Sequence, residues 1–139
     1  MYITQTDIEN CFGATNVAQW SSYNNTTNPP VNLSRIAVAI NYAEAFVNAR
    51  MSMSPYAIPV QASDGSIPPE ITDMCATLAG IWLWNSRALK QSSSNQQFML
   101  MRKKDAHTML MAIIAGSYPL NAVHRGQQTT TPVLGGRSY

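Results

Sequence analysis

The sequence predicts an all-α fold: a small bundle of about four to five helices, with a long proline-bracketed loop in its middle and an extended C-terminal tail. Three observations carry this. The segment 33–51, LSRIAVAINYAEAFVNARM, repeats Ile36, Ile40, Ala43 and Val47 at the three-to-four spacing of one helix face. The segment opening at Pro68 and Pro69 repeats Ile71, Met74, Cys75, Leu78, Ile81, Trp82 and Leu89 in the same way. Between them, RMSMSPYAIPVQASDGSIPPEITDM carries four prolines and one Asp-Gly, and separates the two helical patterns.

The elements follow in order. In TQTDIENCFG, Thr6 stands three residues before Glu9, a capping-box pattern that predicts a short helix. Gly13 is placed to end it in a left-handed conformation. ATNVAQWSS adds a turn or two of helix, and YNNTTNPPVN favours turns. In the helix predicted over 33–51, Val38, Tyr42, Ala45, Phe46 and Ala49 cover much of the face opposite the stripe. A helix apolar nearly all round is buried on more than one side, so the second side is expected to face another subunit.

Prolines 55 and 59 stop that helix, because each lacks an N–H and restricts the residue before it. SDGS supplies a turn. Pro68 and Pro69 open the next helix, predicted over 69–90, where a missing N–H costs nothing. Glu70 and Asp73 complement its dipole. Leu83 and Trp84 fall off its core stripe, Trp84 by about 120° at 100° per residue, which makes both interface candidates. The polar break QSSSNQ supplies caps for a last helix over 96–115, with Ala106, Leu110, Ile113 and Ile114 as its stripe. Gly116 and Pro119 end it. No periodicity follows, so the chain divides into a helical domain, 1–116, and an extended tail, 117–139. The tail's Thr129, Thr130, Thr131, Pro132, Val133 and Leu134 form a β-prone stretch suited to adding a strand to a partner's sheet.

Charged residues make up 12% of the chain, about half the usual ~25%. Such a composition suits either a surface of Asn, Gln, Ser and Thr or burial in a larger assembly. Residues 1–86 hold two basic residues against six acidic ones, and residues 87–139 hold seven against one. A negative half and a positive half suit head-to-tail contact between identical subunits. Cys11 and Cys75 read as small apolar core residues. MYITQTDIEN has no signal-peptide pattern, and the longest apolar stretch, MLMAIIA, falls far short of a membrane span.

The chain has no phosphate-binding glycine loop, no nucleophile elbow and no HExxH, and neither His107 nor His124 has a metal-ligating residue four positions on. No catalytic residue, cofactor or metal is expected, and the expectation is a non-enzymatic role. The cluster Arg102, Lys103 and Lys104 reads as a solvated helix face, or as charges toward DNA phosphates or a neighbouring subunit.

Taken together, MYITQTDIENCFG, NARMSMSPYAIPV and IPPEITDMCATLAGIWLWNSR resemble the Mu-like prophage head–tail connector family, the adaptor or head-completion proteins of tailed bacteriophages. The elements that carry the resemblance are Met1–Thr4, Phe12–Gly13, Tyr56–Pro59, Pro68–Pro69 and Trp82–Arg87. Two departures stand out: Arg50 lies six residues before Tyr56, a looser spacing than the family pattern, and the chain after 117 does not align.

The resemblance implies a subunit that assembles with itself into a ring, expected to be dodecameric. The ring sits between the portal and a tail or neck completion protein and extends the DNA channel, with non-specific contact with packaged DNA and no membrane. The implied location is the head–tail interface of the virion, and the host cytoplasm during assembly. On this reading the proline-bracketed loop stands out from the bundle, and Tyr56, Ile58 and Val60 touch a neighbour. Tyr42, Phe46, Leu83 and Trp84 extend that interface, and the 129–134 stretch docks on the portal. The alternative is a small helical phage protein that binds DNA or accompanies packaging, for which SSSNQQFMLMRKK is the nearest approach to a recognition helix.

Overall fold

The molecule is arranged around one helix, and the sequence of that helix explains why. The computed structural model describes residues 2–22, 29–86 and 93–126. They form α1 (Gln5–Phe12), α2 (Ala14–Ser21), α3 (Leu33–Met51), α4 (Pro69–Ser86) and α5 (Ser93–Ala115). Between Met74 and Ser86, α4 carries no charge, and Ile71, Met74 through Ile81 and Leu83 are all buried. The other four helices pack around it. Small residues let them come close. A Cβ added at Gly80 would lie 2.2 Å from the Phe12 ring, so α1 sits on α4 only because position 80 has no side chain.

α3 spans the residues that its periodicity predicts. Ile36, Ala39, Ala43, Val47 and Met51 turn inward, while Val38, Tyr42, Ala45 and Ala49 remain exposed. α5 begins three residues earlier than expected and is the least amphipathic helix. Met99, Ala106, Leu110 and Ile113 are buried, and Phe98, Leu100, Met101 and Met111 stay exposed. Leu89, assigned to the α4 stripe, lies outside the described residues.

The α1 cap differs from the expected one. Thr4 is the N-cap, and its backbone N–H donates to Asp7 Oδ2 at 2.8 Å. The reason lies upstream, where the buried Glu44 carboxylate of α3 accepts the N–H groups of Tyr2 and Ile3. The Tyr2 hydroxyl donates to Asn48 Oδ1 and accepts the Val60 N–H at 2.7 Å. These bonds fix the chain before α1 and set where the helix starts.

Two expectations are corrected by the loop and the segment after α5. The loop does not stand out from the bundle: Ser54, Tyr56, Val60 and Ala62 are all buried. Nor is the chain extended from 117. Gly116, at φ +83°, turns it back, and residues 117–126 pack along the loop. Tyr56 and His124 form an antiparallel bridge. The Ala57 N–H donates to the Val123 carbonyl at 2.8 Å, and the Val123 N–H to the Gln61 carbonyl at 2.9 Å. The Arg125 guanidinium donates to the carbonyls of Ser52 at 2.6 Å and Met51 at 3.3 Å, capping the C-terminal end of α3. The helical domain therefore extends past 116 to at least Gly126.

Candidate interaction grooves

Among the described residues, three surface grooves gather most of the partly exposed aromatic and charged side chains. The first lies where α3, α4 and α5 meet and has a volume of about 240 Å³. Tyr42 and Phe46 reach it from one face of α3, four residues apart, because such residues are neighbours on a helix. Trp82 enters from α4 and His107 from α5. The Tyr42 ring centroid is 6.4 Å from that of Trp82 and 6.3 Å from that of Phe46. Phe46 meets His107 edge-on at 5.2 Å.

Cations surround these rings. Arg35 lies 5.3 Å over Trp82, Arg50 lies 4.9 Å over Phe46, and Lys103 lines the groove wall. Rings offer cations their electron-rich faces, so each contact also places positive charge at the rim. The Arg35 guanidinium donates to the Ser86 hydroxyl, which fixes it there. Partial burial, reinforced by Lys103 and Arg50, holds the His107 imidazole below its ordinary pKa of 6.5. Among the described residues, no carboxylate lines this groove.

The second groove, of about 470 Å³, lies between the α1–α2 pair and the facing parts of α4 and α5. Trp20, Trp84 and Phe98 line it, and Phe12 packs edge-on against Trp20 at 5.4 Å. The third, of about 420 Å³, lies between the first half of α4 and α5. Glu70, Asp73 and Asp105 give it an acidic wall, and Met74 and Met109 an apolar one. Glu70 accepts the Tyr118 hydroxyl at 2.9 Å, and this hydrogen bond, with the Glu70 charge, raises the Tyr118 pKa.

The residues singled out from the sequence divide among these places. Tyr42, Phe46 and Lys103 share the aromatic groove, and Trp84 lines the second. Ile58 and Lys104 are exposed. Tyr56 and Val60 are corrected: both are buried in the chain's own core, Tyr56 with 5% of its surface exposed and its hydroxyl accepting the Leu120 N–H at 2.8 Å. Leu83 is also corrected. It is fully buried, because neighbours enclose α4 on nearly every side, so leaving the main stripe does not mean leaving the core. Arg102 turns inward rather than toward solvent, stacking 5.1 Å over Phe12 and donating to Thr77 Oγ1 at 3.1 Å. Thr129 to Leu134 lie outside the described residues.

Cys75 is buried in the core, and that burial raises its thiol pKa. Cys11 sits at the core's edge, its Sγ 3.9 Å from Asp73 Oδ1. The acidic groove escaped the sequence reading because its walls come from residues as far apart in the chain as Asp73 and Asp105. Its only trace was the two acids opening α4.

Among the described residues no group of His, Cys, Asp or Glu is arranged to hold a metal ion, and no helix is long and apolar enough to cross a membrane. What the fold and grooves define is a small all-α domain with unlike, oppositely charged recesses on its surface. Residues 2–135 match the family described as Bacteriophage Mu, Gp36, a match that corrects the expectation that the chain after 117 does not align, and the chain belongs to that family of Mu-like bacteriophage proteins. Comparison with curated proteins gives no match.

Proposed function

We propose that this chain is a structural virion protein of a tailed bacteriophage, the ring-forming adaptor between the portal and the tail or neck proteins. The observation that carries the reading is the outer face of α3 in a phage chain with few charges. Val38 and Tyr42, four residues apart and so neighbours on the helix, are large apolar residues left substantially exposed there, and the aromatic groove continues that face. Contiguous apolar surface of this kind marks sites of protein association. In the proposed ring it is covered by the adjoining subunit, which also accounts for the low charge content. No catalytic step or cofactor enters the reading. Lys104, exposed on α5, is available to packaged DNA as a non-specific phosphate contact.

The test is negative-stain imaging of the protein mixed with the portal encoded by the same genome. The expected result is a ring stacked coaxially on the portal. An intact portal without added density would overturn the adaptor reading.

A further inference from the structure

We infer that neighbouring copies meet head to tail through opposite flanks of α5: an acidic and apolar ridge of one copy enters the cation-rimmed aromatic groove of the next. This rests on the ring reading and assigns its subunit interface. Residues two apart on a helix stand about 200° apart. Lys103 and His107 therefore face one flank, toward the aromatic groove, while Asp105 faces the other. Phe98, Met101 and Asp105 recur at three-to-four spacing and form one exposed ridge, with Phe98 at 53% and Met101 at 60% exposure.

The two surfaces complement each other in charge. Asp105 on the ridge borders the acidic wall with Asp73 and Glu70, whereas the groove's rim is Arg35, Arg50 and Lys103. Arg102 lines the same acidic recess, stacked 5.1 Å over Phe12 and 5.9 Å over Phe98 and donating to Thr77, so three carboxylates face one cation there, and Lys104 points about 100° away from Asp105. Met101 offers a flexible thioether to the Tyr42 and Trp82 rings, a favourable contact for sulfur.

The occupant is a second copy because one chain carries both halves of the match on opposite sides of a single helix. Unlike faces cannot pair isologously without setting like charge against like. They pair heterologously, which closes into a ring when the rotation permits.

The experiment uses two full-length variants, Lys103→Glu and Asp105→Lys. Each changes one exposed residue, so circular dichroism and melting temperature are expected to match the wild type. Assembly is read by native mass spectrometry and by imaging on the portal. Each variant alone sets like charges together at every contact, and the cost repeats around the ring. The concentration for half-maximal assembly is expected to rise at least tenfold. Mixed in equal amounts, the two variants can alternate, so that the lysine introduced in one faces the glutamate introduced in the other, and assembly is expected to return. Normal assembly by the single variants, or no rescue on mixing, would overturn this interface while leaving a wild-type ring standing. A wild type that forms no ring with the portal would overturn the adaptor reading and this interface together.

Discussion

Two aromatic regions of this molecule look alike in composition and differ in what their side chains are bound to. Around Tyr2 and Tyr56, each phenol is buried and its hydroxyl is engaged: Tyr2 with Asn48 and Val60, Tyr56 with Leu120. Around Tyr42, Phe46 and Trp82, the rings touch one another and cations, and Tyr42 keeps 47% of its surface exposed. The first region joins the chain's beginning, middle and end into one core. The second leaves ring surface for something else to cover. An aromatic cluster thus keeps ring surface open when its polar ends are not committed within the fold.

The largest effect should come from removing the chain's end. Cutting after Tyr118 deletes Leu120 and Val123, both buried, along with the Arg125 cap on α3. Burial of two such side chains contributes about 3–6 kcal/mol, a large part of the stability of a domain this size. That truncation should unfold the protein, or lower its urea midpoint steeply. Cutting after Gly126 keeps all of these contacts, so the difference between the two midpoints measures what residues 119–126 contribute. Equal stability of the two truncations would break the claim that residues 119–126 belong to the core.

Next in size is Tyr56→Ala, which empties a buried aromatic site at a cost of about 3–5 kcal/mol. Tyr56→Phe keeps the ring but leaves the buried Leu120 N–H without its acceptor, costing about 1–3 kcal/mol. Both should appear in chemical unfolding curves. A neutral Tyr56→Phe would mean that water reaches the Leu120 N–H and that the packing around Tyr56 is looser than its burial indicates.

These contrasts show what the sequence could and could not reveal. α3 was legible from end to end because its apolar stripe is a local pattern that repeats along the whole helix. The start of α4 was legible from its paired prolines. The Tyr56–His124 bridge was not, because it joins residues far apart in the chain whose local sequence has no strand period. The cap of α1 shows a subtler limit. Thr4–Asp7 and Thr6–Glu9 carry the same threonine-to-acid spacing, and the choice between them is made by Glu44, which holds the backbone of residues 2 and 3 from another helix. That Tyr42 stays exposed was legible because it lies off the stripe of a helix with one buried face. The same reasoning misplaced Leu83, because α4 is buried on nearly every side.

In the open region, Tyr42→Ala should cost only about 1 kcal/mol, the scale of its ring contacts, and leave a folded monomer. Its consequence should be for assembly on the portal. If Tyr42→Ala instead destabilised the fold as much as Tyr56→Ala, the distinction between the two regions would collapse.

The smallest effect is the most specific to the groove. His107 loses hydration through partial burial and faces two cations, Lys103 on its own helix and Arg50 from α3, while the α4 residues beside it, Trp82, Asn85 and Ser86, carry no charge. All of this disfavours the imidazolium. The folded state therefore binds a proton less readily than the unfolded chain, whose histidine titrates near 6.5. The linked stability is fully present above 6.5 and declines as pH falls from there through the depressed folded value. An NMR titration of the free subunit should place the His107 midpoint below 6.5. Lys103→Ala should raise it without restoring 6.5, because burial is the larger cause. A wild-type midpoint at or above 6.5 would mean that a carboxylate or water already occupies the groove. Binding of a neighbour's Asp105 should move the midpoint upward, so the same resonance would report when the groove is filled.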